Sequence, residues 1–208
     1  MSEWGAAEEQ YMREALRLAA LGLFTAEPNP RVGCVLVRDG RVVGEGWHEL
    51  AGGEHAEVRA LQTAGPAARG ATAYVSLEPC AAQGRTPPCT AALIAAGVAR
   101  VVYASADPNP RMSRGAEQLR AAGLAVAGGL LEAQARALNI GFFSRHERGR
   151  PWVRVKLAAS LDGRTALAGG ASRWITGAAA RADVQQFRAR SSVVLTGAGT
   201  SLDRAVFA

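Results

Sequence analysis

A hairpin followed by a regular alternation of helical and strand-like stretches constrains this chain more than any other feature. The stretch VGCVLVRDGRVVGEGWH, residues 32–48, reads as two strands around Asp39-Gly40, a pair that suits a two-residue hairpin turn. Before it, YMREALRLAALGL spaces apolar residues as an amphipathic helix does, and the prolines of TAEPNP stop that helix. After it come HAEVRALQTA (helix, ended by Gly65-Pro66), ATAYVSLEP (strand), PCTAALIAAG (helix) and ARVVYASAD (strand). SRGAEQLRAAG (helix), LAVAGG (short strand) and a final helix over LLEAQARALNIGFFSR complete the series. A hairpin feeding such an alternation implies a mixed sheet with helices on both faces, a three-layer α/β/α sandwich. RHERGRP breaks the pattern and reads as a linker. Beyond it PWVRVKLAAS and SSVVLTGAG read as strands and GAAARADVQQFRAR as a helix, the opening of a second α/β unit.

The chain has 208 residues, 49% of them hydrophobic, enough to bury a core. No apolar run reaches the roughly 18 to 20 residues of a membrane span, and MSEWGAAEEQ lacks the pattern of a secretory signal. Three cysteines argue against a disulfide framework and for a reducing, cytoplasmic compartment. Residues 1–150 hold 16 arginines against 15 acidic residues, so no nucleic-acid footprint is evident there. Residues 151–208 hold seven arginines and Lys156 against three acidic residues. That suits an anionic partner, but Lys156 is the only lysine, and an arginine bias of this kind also follows from base composition.

Cys80 and Cys89 lie close together in EPCAAQGRTPPC. Such a pair could form a disulfide, hold a metal, or be two unrelated core residues. His55 opens a helix in GEHAEVRA, and both helix starts can reach the carboxyl ends of neighbouring strands, where sites form in α/β folds. Three ligands of this kind and one open position describe a catalytic zinc site. Glu57 stands two residues after His55, where a carboxylate can shuttle protons for a metal-activated water. His-x-Glu followed by Pro-Cys and a second Cys is the zinc nucleobase-deaminase signature, which has two residues between its cysteines where this chain has eight. Cys34, inside the apolar VGCVLV, reads as a core residue.

PNPRVGCVLVRDGRVVGEGWH, GEHAEVRAL, ATAYVSLEPC, GRTPPC and ADPNP together resemble the riboflavin-biosynthesis bifunctional deaminase–reductase family (RibD type). The resemblance runs from about Tyr11 to Gly199, and the GRTPPC insert sets it apart from deaminases with the shorter gap. It implies a cytidine-deaminase-like zinc domain over 1–145, a linker over 146–151 and a dihydrofolate-reductase-like domain from 152 to 208. It also implies hydrolytic deamination of 2,5-diamino-6-(5-phosphoribosylamino)pyrimidin-4(3H)-one, with one Zn2+ held by His55, Cys80 and Cys89 and with Glu57 moving the protons. The partner is then a small phosphoribosyl pyrimidine rather than a nucleic acid or a membrane, and the family suggests a homo-oligomer. Arg85 is expected at the substrate phosphate, because a guanidinium matches phosphate oxygens two at a time. Asn29 is expected at the substrate, and His48 at its ribose or phosphate. The family usually has His where this chain has Ala82, so weaker substrate binding is expected with the zinc chemistry intact.

In the second domain the resemblance puts Ala158, Trp174 and Thr200 at NADPH, and Ser172 and Arg188 at the ribosyl phosphate. It fails after Thr200, where SLDRAVFA replaces the usual continuation. About 58 residues are short of a typical self-sufficient domain. A truncated gene product that deaminates but does not reduce is therefore expected. The competing readings are a nucleoside or RNA-base deaminase, which would favour the short cysteine gap, and a non-catalytic zinc-stabilised binding protein, which would need a fourth protein ligand.

Overall fold

The computed structural model describes residues 4–84, 86–172 and 174–197. The chain divides into two units, Met1–Trp152 and Val153–Ala208.

In the first unit, helix α1 (Ala6–Leu21) precedes strands β1 (Gly33–Arg38) and β2 (Arg41–Trp47). Asp39 (φ 52°) and Gly40 (φ 73°) both take the left-handed conformation that a two-residue hairpin turn requires. Then follow α2 (Ala56–Ala64), β3 (Thr72–Leu77), α3 (Cys89–Ala95), β4 (Arg100–Ser105), α4 (Gly115–Ala121), β5 (Ala125–Gly128), α5 (Glu132–Leu138) and α6 (Ile140–Arg148). The sheet order is β2-β1-β3-β4-β5. β1 runs antiparallel to both β2 and β3, whereas β3, β4 and β5 are parallel.

Alternation along the strands builds two apolar layers. Cys34, Leu36, Ala73, Val75 and Val101 face Ala56 and Ala60 of α2, Leu93 of α3 and Leu119 of α4. Val35, Val37, Tyr74, Val102 and Ala104 face Met12, Ala15 and Leu18 of α1 and Ala135 of α5. Helices thus cover both faces, as the order of elements implied. Cys34 is fully buried in the first of these layers.

Two glycines set the height of α2. A Cβ at Gly44 would collide with the Ala60 carbonyl, and one at Gly46 with the Ala56 carbonyl. Helix and strand therefore meet backbone against backbone.

Where one final helix was expected, the structure has two. The break falls at Asn139 (φ −112°, ψ 27°), whose side chain leaves the helix to bond another segment. α6 also runs to Arg148, three residues into the stretch expected to be a linker.

In the second unit the described residues form one helix, α7 (Ala178–Ala189), with no buried residue. Neither PWVRVKLAAS nor the described part of SSVVLTGAG is a strand, contrary to expectation. Strand propensity alone does not satisfy backbone N–H and C=O groups; a neighbouring strand must. Among the described residues of this unit no such neighbour exists, and Leu157 (82%) and Leu195 (92%) stand exposed.

Candidate metal and catalytic site

β3 and β4 are parallel neighbours, so the segments leaving their carboxyl ends lie side by side. Glu78-Pro79-Cys80 leaves β3, and Ala106-Asp107 leaves β4. The close approach of α2 to β2 places the start of α2 at the same end. His55 is the residue before α2, Glu57 lies in its first turn, and Cys89 begins α3.

These elements bring the three expected ligands together. His55 Nδ1 lies 3.1 Å from Cys89 Sγ and 3.6 Å from Cys80 Sγ, and all three ligand atoms fall within 4.8 Å of one another. Zinc bonds of about 2.0–2.1 Å to nitrogen and 2.3 Å to sulfur, at tetrahedral angles, require ligand separations of roughly 3.5–3.8 Å. The residues fit a zinc ion. Cysteines on the two sides of a loop can do this because the Cys89 backbone N–H bonds Cys80 Sγ at 3.3 Å, folding the loop back on itself. With Nδ1 facing the sulfurs, His55 Nε2 lies 3.3 Å from Thr86 Oγ1. Such an outer partner fixes the tautomer and the ring orientation of a ligating histidine.

The electrostatics suit the same purpose. Hydrogen bonding from Cys89, above all, holds the Cys80 thiol well below the ordinary thiol range, which favours the thiolate that a metal needs. Cys89 moves the other way, because it donates to Cys80 and is buried. His55 is raised, chiefly by its hydrogen bond with Cys80. Glu57 is 3% exposed, and burial raises its pKa while the charge of His55 opposes the shift. Its carboxylate reaches Cys89. A carboxylate so placed can take a proton and return it.

The site opens into a cleft of about 520 Å³ lined by His55, Glu57 and Cys80 and also by Asn29, His48 and Ala82. His48 is buried (2% exposed). Its Nδ1 is 2.9 Å from the Glu54 carbonyl, which can only accept, so Nδ1 carries the hydrogen. Its Nε2 then accepts from Asn29 Nδ2 at 3.0 Å. Both His48 nitrogens are thus engaged within the protein, and its ring meets His55 edge-on at 5.5 Å between centroids. Arg85 lies outside the described residues, as does Thr200.

Several residues of the cleft escape a reading of motifs. Glu78 is buried, and its carboxylate accepts from the backbone N–H groups of Ala116 (2.8 Å) and Asp107 (3.2 Å), tying two loops to the end of β3. Asp107 and Asn109 also line the cleft. Burial, first of all, pushes the Asp107 carboxyl up to about 6, against the hydrogen bond it accepts from Asn109 N–H. A signal was present: Glu27-Pro28-Asn29-Pro30 and Asp107-Pro108-Asn109-Pro110 are near copies, and both asparagines reach the cleft. Phe142, Arg145 and His146 bring α6 to the wall as well. α6 is fixed there by Asn139, which accepts from Arg31 N–H and donates to Arg31 C=O, both at 2.8 Å. No local motif announces a contact across 108 positions of sequence.

In the second unit Ser172 is exposed, Ala158 is half-buried, and Trp174 lies under the Arg181 guanidinium, 4.3 Å from its ring centroid. Arg188 donates to Gln185 Oε1 at 3.3 Å.

A mixed sheet with a His-Cys-Cys cluster and a buried Glu at its carboxyl end defines the first unit as a zinc deaminase domain of the cytidine-deaminase class. Residues 6–105 match the family described as the cytidine and deoxycytidylate deaminase zinc-binding region, and residues 151–205 match the RibD C-terminal domain. The riboflavin biosynthesis protein RibD of Escherichia coli is 57% identical over 196 residues, covering 94% of this chain and 53% of that protein. The structure of Acinetobacter baumannii RibD superposes with a TM-score of 0.90 at 52% identity, over 94% of this chain and 55% of that one. A Thermotoga maritima structure, titled as a diaminohydroxyphosphoribosylaminopyrimidine deaminase/5-amino-6-(5-phosphoribosylamino)uracil reductase, also gives 0.90, at 42% identity, over 95% of this chain and 57% of that one. The chain belongs to the RibD family and spans about half the length of the curated relatives it matches. Among the described residues no helix is long and apolar enough to cross a membrane.

Proposed function

We propose that this chain deaminates 2,5-diamino-6-(5-phosphoribosylamino)pyrimidin-4(3H)-one hydrolytically in riboflavin biosynthesis, releasing ammonia. The observation that carries the reading is the convergence of His55, Cys80 and Cys89 beside a buried Glu57 in one cleft, in a chain of the RibD family. His55, Cys80 and Cys89 would hold zinc, which supplies, when bound, the Lewis acidity that makes water nucleophilic near neutral pH. Glu57 takes a proton from the attacking water and delivers it to a ring nitrogen of the substrate. As the new C–O bond replaces the C–N bond, Glu57 passes a proton to the departing amine, which leaves as ammonia. Asn29, its Nδ2 committed to His48, presents Oδ1 as an acceptor for the substrate, so His48 acts through Asn29. A closed, non-catalytic zinc site would need a fourth ligand, and His48 has no free nitrogen for that role.

Our division into a deaminase domain, a linker and a reductase-like segment is supported by the break after Trp152 and the RibD C-terminal match from residue 151. The deaminase domain is best extended from 145 to Arg148, since α6 lines its cleft. Among the described residues of the second unit no strand forms a sheet that would array Ala158, Ser172, Trp174 and Arg188 around NADPH, and we infer that this chain alone does not reduce its product. Three free cysteines suit a cytoplasmic enzyme, and homo-oligomers fit the family.

The test is zinc content and ammonia release on this substrate, wild type against Glu57→Gln, with NADPH absorbance followed in parallel. One zinc per chain, ammonia release lost in the variant and steady NADPH absorbance are expected. Ammonia release that survives in Glu57→Gln would refute the assignment of Glu57, and NADPH consumption would refute that of the second unit.

A further inference from the structure

We propose that α6 supplies the phosphate subsite of this cleft, with Arg145 and His146 receiving the monoester phosphate of the substrate; the proposal rests on the deaminase reading above. A phosphate monoester brings about −1.5 to −2 charge near neutral pH. The cleft it must enter is lined by three carboxyl groups, Glu57, Glu78 and Asp107. Among the described residues lining it, Arg145 is the one arginine or lysine.

The side chains around Arg145 leave it available. Glu147, two positions away, is taken by Arg136, whose Nη2 meets both its carboxylate oxygens at 2.7 and 2.8 Å. Among the described residues no carboxylate pairs with Arg145 itself. A guanidinium in that position can offer two parallel N–H donors to phosphate oxygens. The carboxyl end of a helix carries about half a negative charge, which disfavours an anion there unless a full cation outweighs it. Arg145 lies in that last turn and supplies one. His146 packs on Phe142 at 4.6 Å between ring centroids, and Phe142 lines the same cleft, so the imidazole is held beside the guanidinium as a second donor.

The wall is also rigid enough to serve. The paired bonds between Asn139 and Arg31 fix the start of α6 to the segment that carries Asn29. The Ser144 hydroxyl donates to the Arg150 carbonyl at 2.9 Å and holds the end. The residues that match the deaminase zinc-binding region end at 105, well before α6. Chemistry thus resides in the shared core, and selection for a phosphorylated substrate in a helix added after it. Arg85, also expected at this phosphate, lies outside the described residues.

The experiment compares kcat/KM for the phosphoribosyl substrate with that for its dephosphorylated riboside, in wild type, Arg145→Gln, Arg145→Lys and His146→Gln. Loss of a charged hydrogen-bonding pair should lower the selectivity ratio about 30-fold in Arg145→Gln, through KM rather than kcat. Arg145→Lys should recover part of it, and His146→Gln should lose less. Zinc per chain should equal that of wild type, which shows that the variants fold. A ratio in Arg145→Gln within threefold of wild type overturns the proposal. If the wild type releases no ammonia from either compound, the deaminase reading fails by itself. Calorimetric titration with inorganic phosphate then decides the subsite: weaker binding to Arg145→Gln supports it, and equal binding rejects it.

Discussion

Asn139→Ala tests whether a single buried amide holds the cleft together. Asn139 is 1% exposed and makes two bonds of 2.8 Å to the backbone of Arg31, one as acceptor and one as donor. Alanine leaves a buried N–H and a buried C=O unsatisfied, at about 1–3 kcal/mol each. A loss of about 3 kcal/mol is the central expectation, since water entering the small void offsets part of the total. For a unit of about 150 residues, each kcal/mol corresponds to roughly 2–4 °C in Tm, so the midpoint should fall by about 6–12 °C. The assay is thermal unfolding by circular dichroism, with hydrogen exchange at the Arg31 amide as the local readout. Exchange at Arg31 should accelerate more than exchange in the central strands β3 and β4. Asn139→Asp is the control: protonated at low pH, its carboxyl can accept from Arg31 N–H and donate its O–H to Arg31 C=O, so it should lie near wild type there, and it should fall toward alanine as pH rises and ionisation removes the donor. A change in Tm below about 2 °C, with Arg31 still protected, would refute the reasoning.

Further outcomes follow from other contacts. Thr86→Ala removes the partner of His55 Nε2 and should weaken zinc binding about 10- to 100-fold, read by competition with a chromophoric chelator. Chelation should lower the Tm of the first unit, because the metal is bound by the folded state; an unchanged Tm would argue against a structural contribution from the ion. Gly115→Ala sets a Cβ against the Pro79 carbonyl, displacing the segment that carries Cys80, so both Tm and zinc stoichiometry should drop. Limited proteolysis should cut first within residues 153–177, which hold no helix or strand among the described residues, and leave a fragment that retains zinc; protection of that stretch would contradict the description of the second unit.

The first unit was largely legible in the sequence because its signals are local. The positive-φ turn at Asp39-Gly40, the period of α2 and the glycines after α3 and α4 each act within a few residues, and the sheet follows from their order. The zinc ligands were legible for a different reason, since few residue types serve the metal. What stayed hidden depends on distance. Asn139 reads as one more helical residue until Arg31 is brought to it, and it splits the last helix in two. Glu78 reads as the acid beside a cysteine motif, yet it holds two loops. His48, expected at the ribose or phosphate, lines the cleft, and its ties to Glu54 and Asn29 were not legible in the motif. The strands expected in the second unit were wrongly expected for the converse reason. PWVRVKLAAS has the composition of a strand, and composition cannot supply the neighbour to which a strand must bond.

The contact of α2 with β2 has a consequence for how this site tolerates change. Backbone meets backbone at Gly44 and Gly46, so where α2 lies over β2 the seat of His55 and Glu57 is set by main chain, while Cys34 and Leu36 of β1 complete it from the core. Substitutions elsewhere in the core can shift α1 or α5 by the thickness of a methyl group without altering the separation of ligand and base. Sequence drift in the layer beneath α1 and α5 is thereby kept apart from the catalytic spacing. At the two glycines the coupling is complete, and there even one added carbon would move helix, ligand and base as a single block.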